Sequence, residues 1–160
     1  MALVESLAKR RLITADPGDT VAAAVRMMAD NDVGTVVIVF DGKLQGIFSE
    51  RDALKRVLAV GRDPEQTTLS EVQTSAPYTV RERSHVRDCA RLIKEHGIRH
   101  VPVVDDNGAP VGMISSRDFL QYVVEELESL IEKANLELRR EELIDPYSVV
   151  GEGGFRQGSE

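Results

Sequence analysis

The sequence is poor in aromatic residues and contains a single cysteine. Aromatic residues make up 4% of the 160 residues and tryptophan is absent, so a core must be built from Val, Ile, Leu, Ala and Met. With Cys89 alone, the chain can form neither an internal disulfide framework nor a cysteine-based zinc site. Cys89 lies among the apolar positions of a predicted helix, which favours a buried, inert thiol over a nucleophile.

Long apolar runs and an excess of positive charge are also missing. No stretch approaches the roughly 20 apolar residues that span a bilayer, and the first residues show no apolar run followed by a small-residue cleavage site. The formal net charge is −7, which argues against a general nucleic-acid-binding surface. The sequence therefore predicts a reduced cytoplasmic protein without membrane or nucleic-acid partners.

The usual catalytic and phosphate-binding signatures are absent as well. The chain has no Walker lysine motif, no GxGxxG and no Ser-His-Asp order. Its histidines, His85, His96 and His100, do not form a convincing metal-binding set. We therefore expect neither an enzyme nor a metalloprotein.

What the sequence does have is an internal repeat. "GIFSERD", residues 46–52, returns as "GMISSRD", residues 112–118, and residues 20–52 align with residues 85–118. Each copy contains a helix pattern, an apolar run, a tight-turn pair (Asp41-Gly42 or Asn107-Gly108), a second apolar run and another helix. Units of about 60 residues bury little surface alone. We therefore expect an α/β (α+β) fold of two pseudo-symmetric β-α-β-β-α repeats, packed sheet to sheet around one shared core.

Local patterns place the elements within each copy. Residues 33–40 and 98–105 are rich in β-branched residues and are predicted to be strands. Because Pro102 has no N–H, its position should face a sheet edge or a ligand rather than a ladder partner. One helix is predicted from Ser49 to Val60, ending near Gly61, and Gly97 should end the helix that precedes residue 98.

A long helix is predicted after the second copy, over residues 117–144. Its apolar residues are separated by 4, 3, 4, 3 and 4 positions, which is the stripe of a heptad repeat: Leu120, Val124, Leu127, Ile131, Ala134 and Leu138. This stripe can pack against its own module or pair with another chain, and we favour a homodimer. The domain prediction is repeat 1 at residues 1–62, repeat 2 at 63–128, a helical extension at 129–145 and a flexible tail at 146–160.

The duplicated Ser-x-x-Asp spacing has two interpretations. Ser49 with Asp52, and Ser115 with Asp118, match a helix capping box. The same residues also suit a nucleotide, because a carboxylate can accept from two ribose hydroxyls and a helix N-terminus favours a phosphate. Both interpretations remain open for each copy. The occurrence of two copies in register favours ligand binding at Asp118, whereas the Asp52 copy is a weaker site or only a cap.

The repeats resemble a tandem pair of cystathionine-β-synthase (CBS) domains, often called a Bateman module, over about residues 1–128. "GTVVIVFDGKLQGIFSERDALK" and "RHVPVVDDNGAPVGMISSRDFL" carry the resemblance. It implies a regulatory module that senses an adenine nucleotide (AMP, ADP or ATP, or else NAD or S-adenosylmethionine) in clefts between the repeats, on behalf of an unknown effector protein. The alternative is a dimerisation or protein-interaction module whose clefts are empty.

The resemblance also implies two sets of ligand-binding residues. Asp52 and Asp118 would bind ribose, and Ser49 and Ser115 a ribose or phosphate oxygen. The second, more complete set is Tyr78, Thr79, Arg99, His100, Val101, Pro102, Ser115, Arg117 and Asp118. The first set, which lacks the proline and the Arg-His pair, is Ile13, Thr14, Ala15, Gly34, Thr35, Val36, Ser49, Arg51 and Asp52. The extra positive charge of the second set favours a polyphosphate there.

Overall fold

The structure, a computed structural model, describes the backbone of residues 2–142 and the side chains of residues 2–140. The chain divides into two compact units, one ending at Leu120 and one beginning at Gln121. The first unit contains both repeats, and the second contains most of the long helix. The predicted tail and the predicted end of this helix lie outside the described residues.

The first repeat forms a four-stranded sheet with the order β1-β2-β3-β4. Strand β1 is parallel to β2, and the pairs β2-β3 and β3-β4 are antiparallel. The elements are β1 (Thr14–Ala15), α1 (Val21–Asp30), β2 (Thr35–Phe40), β3 (Lys43–Ser49), α2 (Glu50–Asp52) with a π-helical continuation (Ala53–Leu58), α3 (Leu69–Val72) and β4 (Thr74–Ser75).

The second repeat forms a three-stranded sheet with the order β5-β6-β7. Strands β5 and β6 are parallel, and β6 and β7 are antiparallel. The elements are β5 (Val80–Arg81), α4 (Val86–His96), β6 (His100–Val104), β7 (Pro110–Ser115) and the long helix α5 (Ser116–Glu142). This confirms the predicted mixed α/β fold with two sheets and a long C-terminal helix.

The predicted Asp41-Gly42 turn is present, and α1 begins with an N-cap. Thr20 caps α1 by accepting the Ala23 N–H at 3.2 Å. Asp41 and Gly42 both have positive φ, +50° and +71°, as a type I′ hairpin turn requires. The single helix predicted over residues 49–60 is wrong in its geometry. The Ala59 N–H bonds to the Leu54 carbonyl, one residue further back than in an α-helix, so α2 widens into a π-helical turn.

The hydrophobic core is two clusters rather than the one shared core that we expected. One cluster belongs to the first repeat and includes Val36, Ile38 and Phe48, each 0% exposed. The other belongs to the second repeat and includes Val101 and the buried thiol of Cys89. Each sheet packs its core face against helices of its own repeat, so each repeat buries an apolar centre of its own.

The N-terminal segment packs with the second repeat. A short 3₁₀ helix, Val4–Ser6, buries Val4 completely in the second cluster. Lys9 and Met113 exchange two backbone hydrogen bonds of 3.0 Å, which adds the segment to the edge of β7. In the first repeat, α3 and β4 provide the corresponding cover on β3. Each repeat is therefore completed by residues that precede it or follow it along the chain.

Pro102 lies in β6, the middle strand of its sheet, one residue before the point where β5 begins to pair with β6. It pairs with Met113 of β7 on one side, whereas β5 first pairs with β6 at Val103. Val37, the corresponding residue of the first repeat, donates its N–H to the Ile13 carbonyl at 2.9 Å. Pro102 cannot make this bond, so it lies where the neighbouring strand has not yet begun.

Candidate ligand-binding site

A cleft opens where the two repeats face each other. Successive strand residues point to opposite sides of a sheet, so Val36 and Ile38 enter the first core while Thr35 and Val37 face away from it. Thr35 and Val37 line a cavity of about 690 Å³, which is within the usual range for small-molecule sites, about 300–1,000 Å³.

The walls of the cleft differ in chemistry. The first repeat contributes mainly apolar side chains, including Ile13, Val25, Met28, Val33, Val37, Ala53, Leu54 and Leu58. The second repeat contributes mainly polar side chains, namely Arg99, His100, Ser115, Ser116, Arg117 and Asp118, together with Met113. An apolar wall opposite a few polar groups is typical of a site for an amphipathic small molecule.

Asp118 is held at the start of α5 by a complete capping box. Its Oδ2 accepts from the Ser115 hydroxyl at 2.6 Å and from the Ser115 N–H at 3.0 Å. The Asp118 N–H donates back to the Ser115 hydroxyl at 3.2 Å. Its Oδ1 contacts the Lys9 ammonium at 2.6 Å. The carboxylate is thus fixed in orientation, with one oxygen committed to the cap and the other paired with a lysine.

The pKa of Asp118 is below its usual value. Burial raises it, but the hydrogen bonds from Lys9 and from the hydroxyl and N–H of Ser115 together lower it by more. The side chain is therefore ionised at neutral pH and acts only as an acceptor. Because the pKa is depressed in the folded state, these bonds stabilise the fold at neutral pH and are lost as the pH falls through the folded pKa.

Asp52 has nearly the same surroundings in the first repeat. Its Oδ2 accepts from the Ser49 hydroxyl at 2.8 Å and the Ser49 N–H at 3.0 Å, and its Oδ1 lies 3.4 Å from Nε of Arg56. Neither Ser49 nor Asp52 lines the cleft. The capping interpretation therefore holds in both copies, and Asp118 alone of the two carboxylates reaches the cavity.

Thr35 carries a buried hydroxyl. The residue is 8% exposed, and its Oγ1 has no hydrogen-bond partner among the described residues. Leaving a buried hydroxyl unpaired costs about 1–3 kcal/mol. Thr35 lines the cleft, so a ligand that reaches this buried hydroxyl after rotation of the side chain would relieve that cost.

The charges in the cleft are mixed, with cations slightly in excess. Four basic side chains, Lys9, Arg11, Arg99 and Arg117, line it together with three carboxylates, Asp32, Glu50 and Asp118. Burial and then the charge of Arg99 lower the pKa of His100, against the opposing effects of Glu50, Asp118 and Asp52. His100 is therefore uncharged at neutral pH and can donate with one ring nitrogen and accept with the other.

The glycine of each motif permits a close approach between chain segments. A Cβ on Gly46 would lie 2.8 Å from the Thr74 carbonyl oxygen and would also meet the side-chain oxygen of Gln73. A Cβ on Gly112 would lie 3.0 Å from the Ala8 Cβ. Gly46 therefore lets β4 lie close against β3, and Gly112 lets the N-terminal segment lie close against β7. Both strands lead into a capping box.

The cleft draws on both predicted sets of ligand-binding residues. From the first set it takes Ile13, Gly34 and Thr35, and from the second Arg99, His100, Ser115, Arg117 and Asp118. The other members lie elsewhere. Ala15, Val36 and Val101 belong to the two cores, Tyr78 stacks on His96 with ring centroids 4.0 Å apart, and Thr79 lines a second cavity. Thr14, Ser49, Arg51, Asp52 and Pro102 do not line the cleft.

Several cleft residues were not predicted from the sequence. Lys9 and Arg11 lie before β1, and Glu50 begins α2, where its N–H bonds to the Gly34 carbonyl at 3.1 Å. The sequence contains a weak indication that the segment with Lys9 belongs to the repeated pattern. Val4 and Leu69 both fill a core at 0% exposed, and aligning these two positions extends the repeat back to the N-terminal segment, where Lys9 falls opposite Thr74.

Cys89 has the environment expected of an inert thiol. It is 0% exposed in the second cluster, and burial raises the pKa of the thiol to about 11. At neutral pH the nucleophilic thiolate is therefore scarce. None of the helices in the described part of the chain has the length and apolar character needed to cross a bilayer.

The duplicated fold with a cleft between its halves defines a paired-repeat module, and the chain belongs to the CBS domain family. The model of this family matches residues 4–59 and again residues 69–125. Each match contains one copy of the repeated sequence, residues 20–52 or 85–118, and so includes one Ser-x-x-Asp capping box.

Relatives and solved structures agree with this assignment. An uncharacterized protein of Methanopyrus kandleri, MK0525, is 32% identical over 139 residues, covering 84% of this chain and 71% of that protein. The CBS domain-containing protein YhcV of Bacillus subtilis is 31% identical, covering 74% of this chain and 83% of its own. The CBS domain pair of protein MJ0100, solved with 5′-methylthioadenosine and S-adenosyl-L-methionine, is 28% identical with a TM-score of 0.70, covering 76% of this chain and 99% of that one.

Proposed function

We propose that the protein is a regulatory module without catalytic activity that binds an adenine nucleotide, such as AMP, ADP or ATP, in the cleft that contains Asp118. The observation that carries the proposal is the convergence of three groups on one cavity. These are the ionised carboxylate of Asp118, the hydroxyl of Thr35, which has no partner within residues 2–140, and a set of basic side chains. They come from both repeats, so a ligand bound there would hold the two repeats together.

The parts of a nucleotide match the parts of the cleft. A carboxylate accepts from ribose hydroxyls, the apolar wall of the first repeat suits a purine, and arginine suits phosphate oxygens. The solved pair MJ0100 holds two adenosine derivatives, which supports an adenosine ligand for this fold. NAD and S-adenosylmethionine share the adenosine part and remain alternatives for the same cleft.

Titration calorimetry of the purified chain with AMP, ADP and ATP tests the proposal. Binding of at least one nucleotide with one ligand per chain is expected, because the carboxylate that copies the Asp118 environment in the first repeat lies outside the cleft. If none of the three nucleotides, NAD or S-adenosylmethionine binds, the proposal is wrong.

Replacing Thr35 with valine separates a ligand contact from a structural role. The substitution removes a hydroxyl that has no partner in the described chain, so stability should be unchanged or slightly higher. Nucleotide affinity should fall by about 3- to 10-fold, the value of one hydrogen bond. Calorimetry and thermal denaturation measure the two effects.

Thr67 provides the matched control for this substitution. It is similarly buried, 6% exposed, but does not line the cleft, so Thr67→Val should leave affinity unchanged. Unchanged affinity in Thr35→Val would show that the ligand does not use this hydroxyl.

A second function, dimerisation, is favoured by helix α5. Its apolar stripe is exposed, from 45% at Val124 to 62% at Leu120, with Leu127, Ile131 and Leu138 between these values. Apolar residues at a and d positions of successive heptads suit pairing with the same helix of a second copy. We therefore propose a cytoplasmic homodimer that passes the nucleotide signal to an effector protein.

The dimer proposal is tested by placing charges in the stripe. The double variant Leu127→Glu, Ile131→Glu should be monomeric by light scattering, because two carboxylates per helix would be buried in the pairing seam. Leu136 is equally exposed, at 58%, but lies outside the stripe, so Leu136→Glu should remain a dimer. A monomeric native chain, or a dimeric double variant, would contradict this use of α5.

A further inference from the structure

We propose that Lys9 is a binding residue of the cleft, which exchanges its contact with Asp118 for a contact with the phosphate of an entering nucleotide. In this way Lys9 makes the cleft select phosphorylated adenosine over uncharged or cationic adenosine derivatives. The inference deepens the proposed function and rests on it. It concerns a residue that lies outside both Ser-x-x-Asp motifs, on the N-terminal segment that precedes β1.

The backbone of Lys9 is tied to β7, whereas its side chain is exposed. Two backbone hydrogen bonds of 3.0 Å tie it to Met113 in β7, and the nearby Val4 is fully buried in the second core. The Lys9 side chain is 70% exposed, and its one ion pair among the described side chains is with Asp118. A lysine ammonium on a flexible four-carbon stem can change partners without moving the backbone.

Lys9 occupies the part of Asp118 that a ribose would use. The cap bonds from Ser115 both go to Oδ2, and Lys9 contacts Oδ1 at 2.6 Å. A ribose hydroxyl that donates to Asp118 must therefore approach the oxygen that Lys9 holds. An ion pair with so exposed a lysine is weak, so a ligand can displace the ammonium at small cost.

The surroundings favour a phosphate as the new partner of Lys9. Arg11, Arg99 and Arg117 line the same cleft, and neither Arg99 nor Arg117 belongs to an ion pair within the described part of the chain. An anionic ligand gives the displaced ammonium a partner and also neutralises these arginines. Uncharged adenosine offers no replacement, and the sulfonium of S-adenosylmethionine would add another positive charge.

The selection is measured by comparing adenosine with AMP and ADP. Titration calorimetry on the native chain, Lys9→Gln and Lys9→Arg gives three affinities for each protein. In Lys9→Gln we expect AMP and ADP to bind about 10-fold more weakly, the loss of one charge-assisted contact. Adenosine should bind equally well or up to about 3-fold more tightly, because its competitor for Asp118 is gone. Lys9→Arg should retain the preference for AMP.

Lys43→Gln is the control, because it also removes one lysine charge but does so outside the cleft. Lys43 is exposed at the turn end of β3 and does not line the cleft, so Lys43→Gln should leave the affinity ratio of AMP to adenosine unchanged. If Lys9→Gln weakens adenosine and AMP by the same factor, or leaves both unchanged, Lys9 selects nothing and the inference is wrong while the nucleotide site stands. If the native chain binds none of the three compounds, this inference is wrong, and the proposed function fails with it when ATP, NAD and S-adenosylmethionine do not bind either.

Discussion

Replacing Asp118 with alanine is expected to weaken nucleotide binding by about 10- to 100-fold, because a hydrogen bond to a charged group contributes about 1.5–3 kcal/mol. The carboxylate is ionised, oriented by its cap and placed in the cleft, so it needs no rearrangement of its own to accept from ribose hydroxyls. Replacing Asp52 in the same way should change the affinity by less than about 3-fold, since that carboxylate lies outside the cavity.

The two substitutions form a matched pair. Each removes a capping box with nearly equal bond lengths and a carboxylate of similar exposure, 12% for Asp118 and 15% for Asp52. Each should therefore lower the stability by about 1 kcal/mol. Thermal denaturation measures this shared structural cost, and calorimetry measures the unequal loss of affinity. If both variants lose affinity equally, the loss comes from destabilisation of the fold and not from a lost ligand contact. If neither variant loses affinity, Asp118 does not contact the ligand.

The repeat and its capping residues could be predicted because their signals are local. Asp41-Gly42 specifies a hairpin turn, Gly97 ends α4 with a φ of +60°, and the Ser-x-x-Asp spacing builds a capping box in both copies. Because the Ser-x-x-Asp motif forms a cap in both copies, the motif alone does not show whether a copy also contacts a ligand. The motif is a cap in either case, and its position relative to the other repeat decides whether it can also contact a ligand.

The composition of the cleft could not be predicted because it depends on which repeat faces which. From the sequence, Thr35 and Asp118 are expected in different sites, whereas the structure places both on one cavity. The widening of α2 into a π-helical turn leaves no clear sequence signal either, since the same residues can form i→i−4 or i→i−5 bonds. The N-terminal segment was missed because its match to α3 and β4 rests on apolar positions such as Val4 and Leu69, without a shared motif.

Replacing Gly46 with alanine is expected to lower the free energy of unfolding by about 2–3 kcal/mol, the cost of forcing an extra atom into a packed interior. Gly46 pairs with Ile38 on one side and with Ser75 on the other, so the strand cannot move away from its neighbours. The added Cβ would lie 2.8 Å from a backbone oxygen, that of Thr74. A backbone group cannot rotate aside as a side chain can, so β4 must separate from β3. Chemical denaturation of the variant and the native chain measures the difference.

Gly112→Ala is the comparison at the equivalent position of the second repeat. Its Cβ would meet the Ala8 Cβ at 3.0 Å and the Lys9 carbonyl oxygen at 3.4 Å, so a shift of a few tenths of an ångström in the N-terminal segment accommodates it. We expect a loss of about 1 kcal/mol. A loss in Gly46→Ala no larger than in Gly112→Ala would show that residues 73–75 yield as easily as the N-terminal segment. Gly46 and Gly112 would then have the same role in the two repeats. The closer approach of Thr74 to Gly46 would have no effect on the free energy of unfolding.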